Sequence, residues 1–147
     1  MASSLTITRH PYEEPYHVDL VVRAATDGAV AEQRIYANAT DLIECADAFQ
    51  GFPRRADDVY SWELGSEQPE DRFAFYFRLT VRMIRGSGRC AVHLRFNNNE
   101  DFPRRRVAEF AFGAMPADLD RLGRAFRQFA RLQDTVLEWV VGDDELS

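Results

Sequence analysis

Lysine is missing altogether: all 18 basic side chains are arginine. A chain without lysine has no Walker A phosphate lysine, no Schiff-base lysine for pyridoxal chemistry, and no lysine base or nucleophile. Cysteine is almost as scarce. Cys45 and Cys90 are the only two; they form no CxxC, and one pair cannot make a disulfide scaffold. Long apolar runs are lacking too. None approaches the roughly 20 residues of a membrane span, and residues 1–8 show no basic flank followed by an apolar stretch, which a signal peptide would need. A cytoplasmic location with reduced thiols is the expectation. The only histidines are His10, His17 and His93. His17 and Asp19 fall on one strand face, but nothing supplies the remaining ligands of a closed site of about four. Gly-x-Ser-x-Gly is absent, and Ser66 and Ser87, which follow glycines, fall in a loop and a turn rather than at a strand-to-helix elbow. No catalytic residue, metal or cofactor is expected, and the chain does not read as an enzyme.

What is present is one domain's worth of ordinary globular composition: 147 residues, 46% hydrophobic and 29% charged. The formal net charge is −6. That balance argues against a nucleic-acid partner and against an anionic membrane; it suits a basic protein partner.

The hydrophobic pattern switches between periods of two and 3.6. Residues 1–14 are polar and read as a flexible leader. Residues 17–25 alternate as a half-buried strand, Asp27-Gly28 is a hairpin signal, and 30–37 returns as a second strand. Asn38-Ala-Thr-Asp41 offers N-cap candidates to an amphipathic helix with Leu42, Ile43, Ala46 and Phe49 on one face, ended by Gly51 and Pro53. Strands follow over 59–64, 73–84, 90–96 and 104–112. Between the strands at 73–84 and 90–96, a two-residue Ser87-Gly88 loop would set Met83 against Val92, Val81 against Leu94, Thr80 against Arg95 and Arg82 against His93. A second helix opens near Pro116 with Leu119, Leu122, Phe126, Phe129 and Ala130 as its stripe. Residues 135–141 form a last strand and 143–147 an acidic tail. The order ββαββββαβ gives an α+β fold: one antiparallel sheet of about six to seven strands, with both helices on one face, in a single domain over 15–142.

The open sheet face should then carry Asp19, Arg23, Glu63, Tyr76, Arg78, Arg82, His93, Arg95, Glu109 and Glu138. Arginine with tyrosine is common interface chemistry, so Tyr76, Arg78, Arg82, His93 and Arg95 form one candidate interaction surface. Arg124, Arg127 and Arg131 fall within about 60° of each other on the second helix and form another. Half of the acids lie in expected loops or tails, as an acidic docking rim would. Phe52-Pro53-Arg54-Arg55 is echoed by Phe102-Pro103-Arg104-Arg105 without matching flanks, so no repeat is assigned.

Several short stretches carry a family resemblance: Asp41-Leu42 with Phe49-x-x-Phe52-Pro53, then Trp62-Glu63-Leu64-Gly65-Ser66, the Gly88 turn with His93, Asn97-Asn98, and Leu122-Gly123. Over about two-thirds of the chain they resemble a family of small uncharacterised bacterial α+β proteins, similar in layout to immunity proteins of polymorphic-toxin systems. The chain departs from that pattern where Gly88 is followed by Arg89 rather than histidine. The resemblance implies a non-enzymatic, toxin-neutralising protein-interaction module. Two other readings stand beside it: a small-ligand binder or enzyme with a pocket between sheet and helices, using Arg82 and His93, and a homodimer through the exposed sheet face.

Overall fold

The structure is a computed structural model that describes residues 2–11 and 14–142. Its strands are β1 (Ser3–His10), β2 (His17–Thr26), β3 (Ala29–Asn38), β4 (Val59–Gly65), β5 (Tyr76–Ile84), β6 (Arg89–Asn97), β7 (Val107–Ala114) and β8 (Val136–Val141); its helices are α1 (Ala39–Phe49) and α2 (Pro116–Phe129). The α+β class, antiparallel pairing and two helices agree with the sequence reading. The single sheet does not. There are two four-stranded sheets, in the orders β3-β2-β1-β8 and β4-β5-β6-β7. Each helix is a crossing: α1 carries the chain from the first sheet to the second and α2 carries it back. Alternation says which face of a strand is buried but not which strand lies beside it, so the division was invisible in the pattern.

The expected leader is also corrected. Residues Ser3–His10 form β1, paired with β2 on one side and β8 on the other. Leu5 and Ile7 are buried between the more open Ser4, Thr6 and Thr8, which is strand periodicity in a polar-looking segment. The acidic tail, 143–147, and Glu13 lie outside the described residues. Among the described residues no helix is long and apolar enough to cross a membrane.

The β5–β6 register differs from expectation. Met83 pairs with Cys90, Val81 with Val92 and Leu79 with Leu94, so Thr80 faces His93 and Arg78 faces Arg95. The turn spans residues 85–88, with Gly86 and Gly88 both left-handed at φ 77° and 71°. A slip of two residues leaves every side chain on its own face, so only the turn could decide it.

The inner faces of both sheets and the helix stripes share one core. An aromatic chain runs through it, Phe49–Phe126–Trp62–Phe77–Phe96, with successive ring centroids 5.5, 5.9, 5.2 and 5.6 Å apart. Cys45 and Cys90 are buried; burial pushes both thiols up, Cys45 strongly, which suits small core residues rather than nucleophiles.

Gly123 is where the helices touch. A Cβ there would stand 2.6 Å from the backbone nitrogen of Gln50 and 3.1 Å from the carbonyl oxygen of Ala46. Alanine would gain up to about 1 kcal/mol of helix propensity, but overpacking a fixed helix pair costs about 1–3 kcal/mol. Gly123→Ala is therefore expected to destabilise, with a lower urea midpoint at an unchanged m-value.

Candidate functional site

The arginine surface read from the sequence is largely assembled. On the outer face of the second sheet, Arg78 of β5 and Arg95 of β6 stand opposite each other, flanked by Glu63 of β4 and Glu109 of β7. These charges are already paired. Arg95 grips Glu67 with Nε at 3.0 Å and Nη2 at 2.7 Å, and donates from Nη1 to Glu109 at 2.7 Å. His93 Nε2 lies 2.6 Å from Glu109, Arg78 reaches the same carboxylate at 3.5 Å, and the Tyr76 hydroxyl donates to Glu63. Tyr76 is buried rather than displayed, because the segment 66–75 folds back over this end of the face. Arg82 sits one row away, opposite Ala91 and Val59 rather than His93. Asp19, Arg23 and Glu138, expected on the same face, belong to the other sheet.

The Glu67 grip is a tether. With Asn97 Nδ2 donating to Glu67 at 2.6 Å and Asn99 Nδ2 donating to the carbonyls of Ser66 and Phe73, it ties the 66–75 segment to β6. Hydrogen bonds from Arg95 hold the carboxyls of both Glu67 and Glu109 below their usual range. A carboxyl whose folded pKa is lowered contributes stability above its unfolded value, about 4.3 for Glu, and loses it as pH falls through the lowered value. Thermal melts should therefore show a loss of stability below about pH 4.3 that Arg95→Met reduces.

The helix arginines do not form one stripe. Arg127 bridges the helices, donating to Asp47 at 2.8 Å and to Gln50 at 2.7 Å. Arg124 lies 3.6 Å from Asp120, and Arg131 falls beyond the end of α2. The two Phe-Pro-Arg-Arg segments also differ. Phe52 is core and Arg54 caps the α1 C-terminus through the carbonyls of Asp47, Ala48 and Gln50, which a cation favours. Phe102, by contrast, is 90% exposed.

The other concentration of chemistry is at the junction between the sheets, and the sequence reading missed it. Edge strand β3 lies across one end of the second sheet, fixed by Gln33 Nε2 donating to the Tyr76 carbonyl at 2.9 Å. Tyr36, half exposed on β3, meets Phe75 at a 6.4 Å centroid distance, and the Arg34 guanidinium lies 5.6 Å from the Tyr36 ring. Two cavities open along β3: one of about 330 Å³ lined by Tyr36, Asp19 and Leu64, and one of about 420 Å³ lined by Val30, Gln33 and Arg106. A third, of about 370 Å³, lies among the loops of the second sheet, where Arg72, Phe73 and Arg105 line it together with Glu67, Glu100 and Asp101. Phe73 is 52% exposed and precedes β5, although its parity suggested an inward strand residue. Residues 104–106 likewise precede β7, so their three arginines sit on the connecting turn. Arg72, Arg104, Arg105 and Arg106 have no acidic partner among the described residues.

No family model and no curated protein matches the sequence. Solved structures do share the fold. The plant transcriptional regulator PBF-2 superposes with a TM-score of 0.53 at 10% identity, covering 88% of this chain and 75% of that one. WHY1 from Arabidopsis thaliana gives 0.53 and 10%, covering 88% and 78%. This likeness corrects the expected function. Neither structure is an immunity protein, so the toxin-neutralising interaction module does not stand. A transcriptional regulator on this fold also overturns the exclusion of nucleic acid, which rested on the acidic overall charge and on arginines spread over strand faces, turns and one helix.

Proposed function

We propose that the protein binds single-stranded nucleic acid along the junction of β3 with the facing end of the second sheet. The observation that carries this reading is the pair of exposed aromatic rings, Tyr36 on β3 and Phe73 just before β5, with Arg72 and Arg105 beside Phe73 and Arg106 beside β3. Aromatic platforms stack unpaired bases whatever their identity, while arginines track the phosphates. A duplex hides its base faces, so this chemistry favours single strands. The fold's occurrence in a transcriptional regulator is in keeping with it.

The net charge of −6 sets the character of the binding. Little long-range attraction is available, so affinity rests on stacking. With Arg72, Arg104, Arg105 and Arg106 in no ion pair among the described residues, the logarithm of affinity should fall by no more than about three per decade of salt, at about 0.7 per neutralised phosphate on a single strand. Fluorescence anisotropy with a labelled single strand tests the reading. Saturable binding is expected, with the unlabelled duplex of the same sequence competing at least about tenfold less well, a gap of about 1.4 kcal/mol. Equal competition by the duplex, or no binding to either, would refute it.

A further inference from the structure

Phe73 lies in no strand. It is carried by the segment 66–75, which joins β4 to β5. The ends of this segment are closed against each other: a Cβ on Gly65 would stand 2.0 Å from the Phe75 carbonyl oxygen, so the close approach requires glycine. Two ties fasten the middle. Asn99, left-handed at φ 53°, donates from Nδ2 to the Ser66 carbonyl at 2.8 Å and to the Phe73 carbonyl at 3.1 Å. Glu67 accepts from Arg95 Nε at 3.0 Å, from Arg95 Nη2 at 2.7 Å and from Asn97 Nδ2 at 2.6 Å. Asn97 is 2% exposed and serves both ties, because its Oδ1 also accepts from the Asn99 backbone nitrogen at 2.8 Å. A ring held in place before binding avoids the cost of ordering it when the ligand arrives.

We propose that Glu67 and Asn99 are positioning residues that hold Phe73 where a base stacks, acting through that ring rather than by touching the strand; this rests on the single-strand reading above. The consequence for Glu67 runs against simple electrostatics. It is an acid beside a site for a polyanion, and it neutralises Arg95. On charge alone, removing it frees an arginine for phosphate and tightens binding. As a positioning residue its removal loosens the segment under Phe73 and weakens binding. The sign of the change therefore separates the two roles.

The test is a pair of double-mutant cycles. Anisotropy is measured with a labelled oligothymidylate of about twelve nucleotides for the unmodified protein, Glu67→Ala, Asn99→Gly, Phe73→Ala and each of the first two combined with Phe73→Ala. Asn99→Gly keeps the left-handed backbone and loses only the side chain. Each of Glu67→Ala and Asn99→Gly should weaken binding at least about threefold, a share of what one base–aromatic stack supplies. In the Phe73→Ala background the same changes should weaken it less than about twofold, because the ring they position is gone. Hydrogen exchange of the free proteins reads the ties without a ligand. Amides of 66–75 should exchange at least about tenfold faster in both variants while β5 and β6 keep their protection, which also shows that the variants are folded; where one loses that protection, the other decides. Unchanged or tighter binding by folded Glu67→Ala and Asn99→Gly, or an equal loss with and without Phe73, overturns the positioning role and leaves the single-strand reading standing. Unchanged exchange in 66–75 does the same. Failure of the unmodified protein to bind the strand overturns the role and the single-strand reading together.

Discussion

Phe126→Ala is expected to lower the unfolding free energy by about 3–5 kcal/mol, the range for an aromatic removed from a closed core. Phe126 is fully buried and stands at the centre of the fold: its ring meets Phe49 of α1 at 5.5 Å and Trp62 of β4 at 5.9 Å. One residue of α2 therefore ties the other helix to the second sheet. The surrounding rings are held by α1 and the second sheet and cannot collapse onto the void, which places the cost toward the upper part of that range. Against a typical total of about 5–15 kcal/mol, this is a large fraction. In urea the midpoint should fall while m stays constant. A change below about 1 kcal/mol would mean that the two sheets and the helices do not share one core.

Tyr36→Ala is expected to weaken single-strand binding by about 5- to 150-fold, the equivalent of the 1–3 kcal/mol carried by one base–aromatic stack. Tyr36 is half exposed on an edge strand and, among the described residues, its ring and cation neighbours are Phe75 and Arg34. Its loss should shift the melting curve far less than that of Phe126. Tyr36→Phe keeps the ring and should keep the binding. Arg82→Ala, on the outer face of the second sheet, is the control and should bind normally. The reverse pattern, with Arg82 needed and Tyr36 dispensable, would move the site to the face first read from the sequence.

The sequence made the elements legible and hid their arrangement. The α1 and α2 stripes, with Leu42 and Phe49 on one and Leu119, Leu122 and Phe126 on the other, follow a 3.6 period and end at buried positions as expected. Tyr76, Arg78, His93 and Arg95 share one face because parity fixes the face. Parity does not fix where a strand stops, so Phe73 and Phe75 read as core although β5 begins at Tyr76. Nor does it fix which sheet a strand joins, and that decides whether Tyr36 lies on an open face or at a junction. Net charge misled for a related reason. It sums over the chain, whereas Arg95 and Arg78 are neutralised in place and Arg104–Arg106 form no ion pair among the described residues. The available signal was local: a run of three arginines after Phe102, and a polar segment 3–8 in which Leu5 and Ile7 alternate with threonine and serine.

The most direct measurement is ultraviolet cross-linking of a bound single strand, followed by peptide mapping. Cross-links are expected in β3 at Tyr36, in the segment holding Phe73 and Phe75, and in the turn around Phe102. Cross-links confined to the outer face of the second sheet around His93, or none under conditions where the strand is bound, would contradict the account.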